Sequence, residues 1–224
     1  MSSGRHFLQI PGPSNVPDRV LRAIDMPTMD HRGPDFMVMT KDIIQNLKNV
    51  FKTTSEVIIY PASGTGAWEA AMVNTLSAGD KVIMFETGQF AMLWQSLAEK
   101  LGLNAELLPG DWRGPADLEA IEAALKADTS HEIKAVCITH NETATGATSN
   151  IPGARKLLDD LGHPALLMVD AVSSLGSVDL RHDEWGIDVT IAGSQKGLML
   201  PPGMSFNAVS EKALAAHKEA TMPN

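Results

Sequence analysis

The sequence predicts an α/β fold: a mostly parallel, seven-stranded sheet with helices on both faces. Two observations carry the prediction. Apolar runs of strand length recur along the 224 residues, and most are separated by segments with helical character. Several runs are apolar at nearly every position, as strands covered on both faces must be. Strand–helix–strand repetition closes into such a sheet through crossover connections.

Taken in order, "PDFMVMTKDIIQNLKNVFKT" (34–53) reads as an amphipathic helix ahead of the sheet. "EVIIY" (56–60) is the first strand, and "GAWEAAMVNTL" (66–76) the helix after it. "KVIMF" (81–85), "FAMLWQSLAEKL" (90–101) and "AELLP" (105–109) continue the alternation. "PADLEAIEAALKA" (115–127) is the cleanest helix. Pro115 suits a first turn, Asp117 and Glu119 suit the positive end of the dipole, and Leu118, Ile121 and Leu125 share a face. "IKAVCIT" (133–139), "PGARKLLDDL" (152–161), "ALLMVD" (165–170), "DVTIA" (188–192) and "MSFNAV" (204–209) complete the pattern, with a last helix behind. No repeat or low-complexity linker divides the chain.

Composition sets bounds. This length gives one large or two small domains with an ample core. A net charge of −9 argues against a general nucleic-acid or anionic-membrane binder, though a local site can still be positive. The single cysteine, Cys137, lies inside an apolar run, so it reads as a small core residue and no disulfide framework exists. "MSSGRHFLQIPGPSNVP" holds no long apolar segment, so neither a signal peptide nor a membrane span is expected and a cytosolic location is the default. The seven histidines are scattered without metal-ligand spacing, and no metal is assigned.

In parallel sheets ligands gather beyond the carboxyl ends of the strands. The segments found there are "PASGTGAWE", "ETGQF", "HNETATG", "VDAVSSLG" and "GSQKG". "SGTG" opens a helix, so its backbone N–H groups and the positive dipole end can cradle an anion, with the Ser63 and Thr65 hydroxyls adding donors. A dinucleotide loop would carry a third glycine where Glu69 stands, and the Gly-Lys-Ser/Thr of a nucleotide-triphosphate loop is absent. Asp170 ends the most apolar strand, where a carboxylate needs a partner. Lys196, in "AGSQKGLMLPPG", sits in an apolar, turn-forming setting that suits a shifted amine able to condense with a carbonyl. A lysine, a strand-end aspartate and an anion cradle are the three needs of pyridoxal phosphate: for its aldehyde, its ring nitrogen and its phosphate.

These stretches, together with "PGPSNVP" (11–17) and "DHRGPDF" (30–36), resemble the class V aminotransferases among the fold-type I pyridoxal phosphate enzymes, in family order across nearly the whole chain. The resemblance is strongest to the members that pass an amino group from serine, or alanine, to glyoxylate, giving glycine and hydroxypyruvate or pyruvate. It implies that Lys196 carries the Schiff base and then moves the proton, and that Asp170 holds the ring nitrogen protonated. It further implies that Phe90 stacks on the ring with Val172 on the opposite face, that Thr143 bonds the ring 3′-oxygen, and that Gly64, Thr65, Gly66 and Gln195 hold the phosphate. Pro13, Ser14 and Asn15 would lie near the substrate.

By the same resemblance, residues 1–33 form an N-terminal segment and 34–224 the cofactor-binding large domain of a homodimer. A C-terminal small domain, with the arginine that binds the substrate carboxylate, would be missing, leaving the 224-residue chain with little activity alone. Two other readings remain open at this level: another class V enzyme such as a desulfurase, and a non-catalytic cofactor-binding homologue.

Overall fold

The computed structural model describes residues 7–222; the outer ends of both expected units, 1–6 and 223–224, lie outside the described residues. Seven strands form one sheet: β1 (Glu56–Tyr60), β2 (Lys81–Phe85), β3 (Asn104–Leu108), β4 (Ile133–Thr139), β5 (Leu166–Asp170), β6 (Val189–Gly193) and β7 (Ser205–Val209). Their spatial order is β1-β7-β6-β5-β4-β2-β3. The β3-β2-β4-β5-β6 stretch is parallel, whereas β7 runs antiparallel to both β6 and β1.

Helices α1 (Asp18–Ile24) and α2 (Pro34–Phe51) precede the sheet, and α3 (Gly64–Thr75), α4 (Gln89–Lys100), α5 (Leu118–Ala127), α6 (Ile151–Asp160) and α7 (Glu211–Glu219) follow β1, β2, β3, β4 and β7. The near-continuous apolar runs are explained by two cores, one on each face. Ile83, Phe85, Leu167 and Val169 turn toward α5 and α6, meeting Ile121, Leu125, Ile151 and Leu158. Their neighbours Val82, Met84, Leu166 and Met168 turn the other way, against Trp68, Met72, Trp94 and Ala213 of α3, α4 and α7. Alternate side chains of one strand thus enter different cores, so both sets must be apolar. Trp68 and Trp94 stack at 5.8 Å between centroids and fasten α3 to α4. Cys137 is a buried free thiol whose pKa is pushed up by burial, as a core residue's should be.

Three local readings are corrected. Pro115 is not in a first turn: α5 starts at Leu118, because the Asp117 side chain accepts the Glu119 N–H and caps the helix there. Helix α3 begins two residues earlier than the apolar pattern implied, at Gly64, so the glycine loop is itself the first turn. Helix α1 was not foreseen; none of its seven residues is buried, and Val20, Leu21 and Ile24 span too short a stretch to set a helical period.

Candidate active site

The carboxyl ends of β4, β5 and β6 and the starts of α3 and α4 converge on one cleft. It is lined by Ser63, Gly64, Thr65, Trp68, Phe90, Thr143, Asp170, Val172, Ser173, Gln195 and Lys196, with a volume of ≈ 140 Å³. A cavity of about 150 Å³ holds one aromatic ring, so the space suits a ring-sized ligand.

One wall is the first turn of α3. The leading N–H groups of a helix have no intrahelical acceptor, so Gly64 and Thr65 present donors and a positive dipole end to the cleft. Glycine is required at 64 by packing: a Cβ there would lie 2.6 Å from Val172 Cγ2. Gly66 does not line the cleft; its missing side chain instead clears Ala62, whose Cβ would stand 2.6 Å away.

Asp170 ends β5 and is buried. Its Oδ1 accepts the Val172 N–H at 2.8 Å. Burial pushes its pKa up to about 7, and the negative charge of Glu142 adds to the rise; the Val172 N–H, Trp68 and the charge of Lys196 pull the other way. The Trp68 indole N–H faces this carboxyl yet stops short of hydrogen-bond geometry, and is buried without a partner.

Lys196 sits three residues past the end of β6, in a tightly anchored loop. Ser194 fixes the loop's base: its N–H donates to Met204 O at 3.0 Å and its hydroxyl to Pro201 O at 2.7 Å. Lys196 Nζ donates to Pro11 O at 3.2 Å. Burial draws its pKa below the ordinary lysine value, while the charge of Asp170 opposes that shift. A larger share of neutral amine at a given pH follows.

Residues 11–14 lie against this lysine and its loop. Ser14 N–H donates to Gln195 O at 2.9 Å and its hydroxyl to Lys196 O at 2.9 Å. Asn15 turns away, its side-chain oxygen accepting the Leu8 N–H at 2.9 Å. Pro13 follows Gly12, where an added Cβ would fall 2.6 Å from Lys196 Nζ. A Gly12→Ala variant is therefore expected to displace the amine rather than the backbone. The clash is with the flexible end of a side chain, so the melting temperature should stay close to wild type, while pyridoxal phosphate, which needs that amine in place, should bind about tenfold or more weakly, a difference of about 1.4 kcal/mol or more. Parallel melting curves and absorbance titrations check this, and unchanged affinity would show that the lysine has room to spare.

The structure thus brings Gly64, Thr65, Phe90, Thr143, Asp170, Val172, Gln195 and Lys196 to one cleft, with Ser14 against its lysine loop; Gly66 and Asn15 stand aside. Trp68 and Ser173 line the cleft without having been singled out in the sequence. Trp68 was within reach, since it stands four residues after Gly64 on the same helix and so on the same face. Ser173, whose hydroxyl donates to Asn141 O at 2.6 Å, gave no pattern to read. Among the described residues no group of three or more His, Cys, Asp or Glu could hold a metal ion. Nor is any described helix long and apolar enough to cross a membrane.

Comparison with known proteins follows the geometry. The family model described as aminotransferase class-V matches residues 6–222. Serine–glyoxylate aminotransferase of Methylorubrum extorquens is 53% identical over 214 residues, covering 95% of this chain and 53% of that protein. L-aspartate–glyoxylate aminotransferase of Paracoccus denitrificans is 46% identical over 215 residues, 96% of this chain and 54% of that protein. The crystal structure of alanine–glyoxylate aminotransferase from Nostoc sp. superposes with a TM-score of 0.89 at 31% identity, over 97% of this chain and 57% of that one. The chain spans about half the length of the curated relatives it matches. A family match that runs through every segment of this cleft, with relatives of such identity, leaves one assignment: the chain belongs to the class-V aminotransferase family.

Proposed function

We propose that the chain is the cofactor-binding part of a pyridoxal-phosphate-dependent aminotransferase that passes an amino group from serine, or alanine, to glyoxylate. The observation that carries this reading is the convergence of a lowered-pKa lysine, a buried carboxyl and a helix N-terminus on a cleft of ring size. The residues fit the cofactor. A buried carboxyl with a raised pKa lacks the cationic partner that a protonated ring nitrogen provides. Gln195 Oε1 is likewise buried without a hydrogen-bond partner. The first turn of α3 offers an anion its N–H groups. Serine and aspartate both stand as donors in the names of similar enzymes, so the donor is the finer part of the proposal. The reading of 1–33 as an N-terminal segment and 34–224 as the cofactor domain belongs to it too, supported by the contacts of Ser14 and Pro11 with the lysine loop.

Pyridoxal phosphate, when bound, would supply an aldehyde for amine condensation and a ring that withdraws electrons from the substrate's α-carbon. Gly64, Thr65 and Gln195 would hold the phosphate, and Phe90, Val172 and Thr143 would hold the ring. Asp170, as an anion, would keep the ring nitrogen protonated. Lys196 Nζ would take the α-proton of the amino acid and later return a proton, work that a partly desolvated amine with a lowered pKa does well. Residues 11–14 would hold Lys196 in place and limit water around it.

A second copy of the chain would complete the assembly, making a homodimer. The support is a run of uncovered apolar side chains on α1 and α2, including Leu21, Ile24, Met37, Val38 and Ile43. A reducing, cytosolic setting agrees with the lone buried thiol of Cys137. Borohydride reduction in the presence of pyridoxal phosphate, followed by peptide mapping, tests the central claim. The pyridoxyl group should appear on Lys196, and label confined to any other lysine would overturn the reading.

A further inference from the structure

Glu142 lies beneath the cleft rather than in it, and the reading above gives it no task. Its side chain is fully buried, although a carboxylate is among the costliest groups to bury without partners. Backbone N–H groups supply the compensation. Phe90 N donates to Oε2 at 3.2 Å and to Oε1 at 3.3 Å, Ala91 N to Oε2 at 3.2 Å, and Ala144 N to Oε1 at 3.0 Å.

These donors come from two different walls. Phe90 and Ala91 form the first turn of α4, whose positive dipole end suits an anion. Ala144 follows Thr143 in the loop after β4. The loop is closed on itself by Gly146 N donating to Glu142 O at 2.7 Å. A weaker outer link, from the Thr145 hydroxyl to Thr87 O at 3.3 Å, runs beside the carboxylate. The carboxylate can come this close because residue 88 has no side chain: a Cβ on Gly88 would lie 2.5 Å from Glu142 Cγ. The phosphate-side wall, at α3, has no bond to Glu142 among those of its carboxylate.

We propose that Glu142 is a positioning residue for a planar aromatic ligand, clamping the Phe90 turn to the Thr143 loop so that the ring walls are set independently of the anion cradle at α3. The proposal rests on the reading of the cleft as a pyridoxal phosphate site. Glu142 also bears on the third ring contact, because its charge helps to keep Asp170 from ionising in the absence of a cation. The plainer role is that of a cap for α4. The two roles part company in what they do to the separate halves of the ligand.

The experiment titrates wild type, Glu142→Gln and Glu142→Asp with pyridoxal phosphate by absorbance and with inorganic phosphate by calorimetry, alongside melting curves. Glu142→Asp keeps the charge and can keep the local bond to Ala144, two residues on, but shortens the reach toward the α4 N–H groups by one methylene, so the link between the two walls is cut. Glu142→Gln sets an NH₂ group against N–H donors. Both variants should bind pyridoxal phosphate about tenfold or more weakly, the effect of losing a hydrogen bond to a charged group. Both should hold inorganic phosphate within about twofold of wild type, because the anion's N–H contacts at α3 are untouched. Should Glu142→Gln fail to fold, Glu142→Asp decides alone. Wild-type affinity for pyridoxal phosphate in Glu142→Asp would overturn the clamp, as would a parallel loss of both ligands. Failure of the wild type itself to bind pyridoxal phosphate would remove the underlying reading, and the clamp with it.

Discussion

Replacing Lys196 with alanine is expected to abolish the visible absorbance band formed with pyridoxal phosphate. Amino transfer, in whatever form of the protein shows it, should fall by at least the roughly 10²–10⁴-fold that a positioned general base contributes. Two losses combine in that variant. The amine that would condense with the aldehyde is gone, and so is the group placed to take the α-proton. No other lysine lines the cleft, so no neighbour can substitute. The fold should survive, because the loop is anchored by Ser194 and by Ser14 rather than by the lysine head group. Stopped absorbance measurements with serine or alanine as donor, together with a melting curve, check both halves of the expectation. A variant that keeps the band and the rate would place the chemistry on a different residue. The same measurements made on the 224-residue chain and on a longer protein carrying it would test whether the chain alone suffices, which its half-length coverage of its relatives makes the sharper question.

How far the sequence foretold this molecule depends on what each feature leaves in the residue pattern. The sheet was legible because β2, β4 and β5 feed two cores at once, which forces unbroken apolar runs such as that of residues 166–169. The antiparallel course of β7 was not, since strand direction leaves no mark on a five-residue apolar run. The cleft was legible where chemistry demanded a conspicuous residue in a conspicuous place, as with Asp170 ending an apolar strand and Lys196 in a glycine–proline loop. Glu142 escaped because its task is defined by backbone N–H groups of residues 90, 91 and 144, and a chain of side-chain letters does not show where backbone donors converge. Gly12 escaped for a similar reason: its constraint is the Lys196 side chain, more than 180 positions away, and only the folded chain puts that side chain where a Cβ on Gly12 would stand 2.6 Å from it. Gly66 differs again: it stands in the glycine loop yet does not line the cleft, and its lack of a side chain clears Ala62.

Replacing Asp170 with asparagine is expected to lower turnover by on the order of 10²–10³-fold, the cost of removing one electrostatic stabiliser of the transition state. Cofactor retention should suffer far less, since the contacts assigned to Gly64, Thr65, Gln195 and Lys196 remain. An asparagine can still accept a hydrogen bond but cannot hold a ring nitrogen in its charged form. The same substitution has a second signature that needs no catalysis. In the cofactor-free protein the Asp170 carboxyl has a pKa of about 7, against 3.8 for an ordinary aspartate, mainly because it is buried. The folded state therefore binds this proton more tightly than the unfolded chain does. Its contribution to stability is fully present below about pH 4 and is lost as the pH rises through about 7. Asp170→Asn carries no such proton, so its melting temperature should gain on that of the wild type steadily from pH 4 to pH 7. Adding pyridoxal phosphate to the wild type should flatten the difference, because a cationic ring nitrogen gives the ionised carboxylate the partner it lacks. Paired melting curves of both proteins, with and without the cofactor, read out the two effects. A wild-type-minus-variant difference that does not change with pH would mean that Asp170 is already ionised and paired in the cofactor-free fold, and that its role is structural.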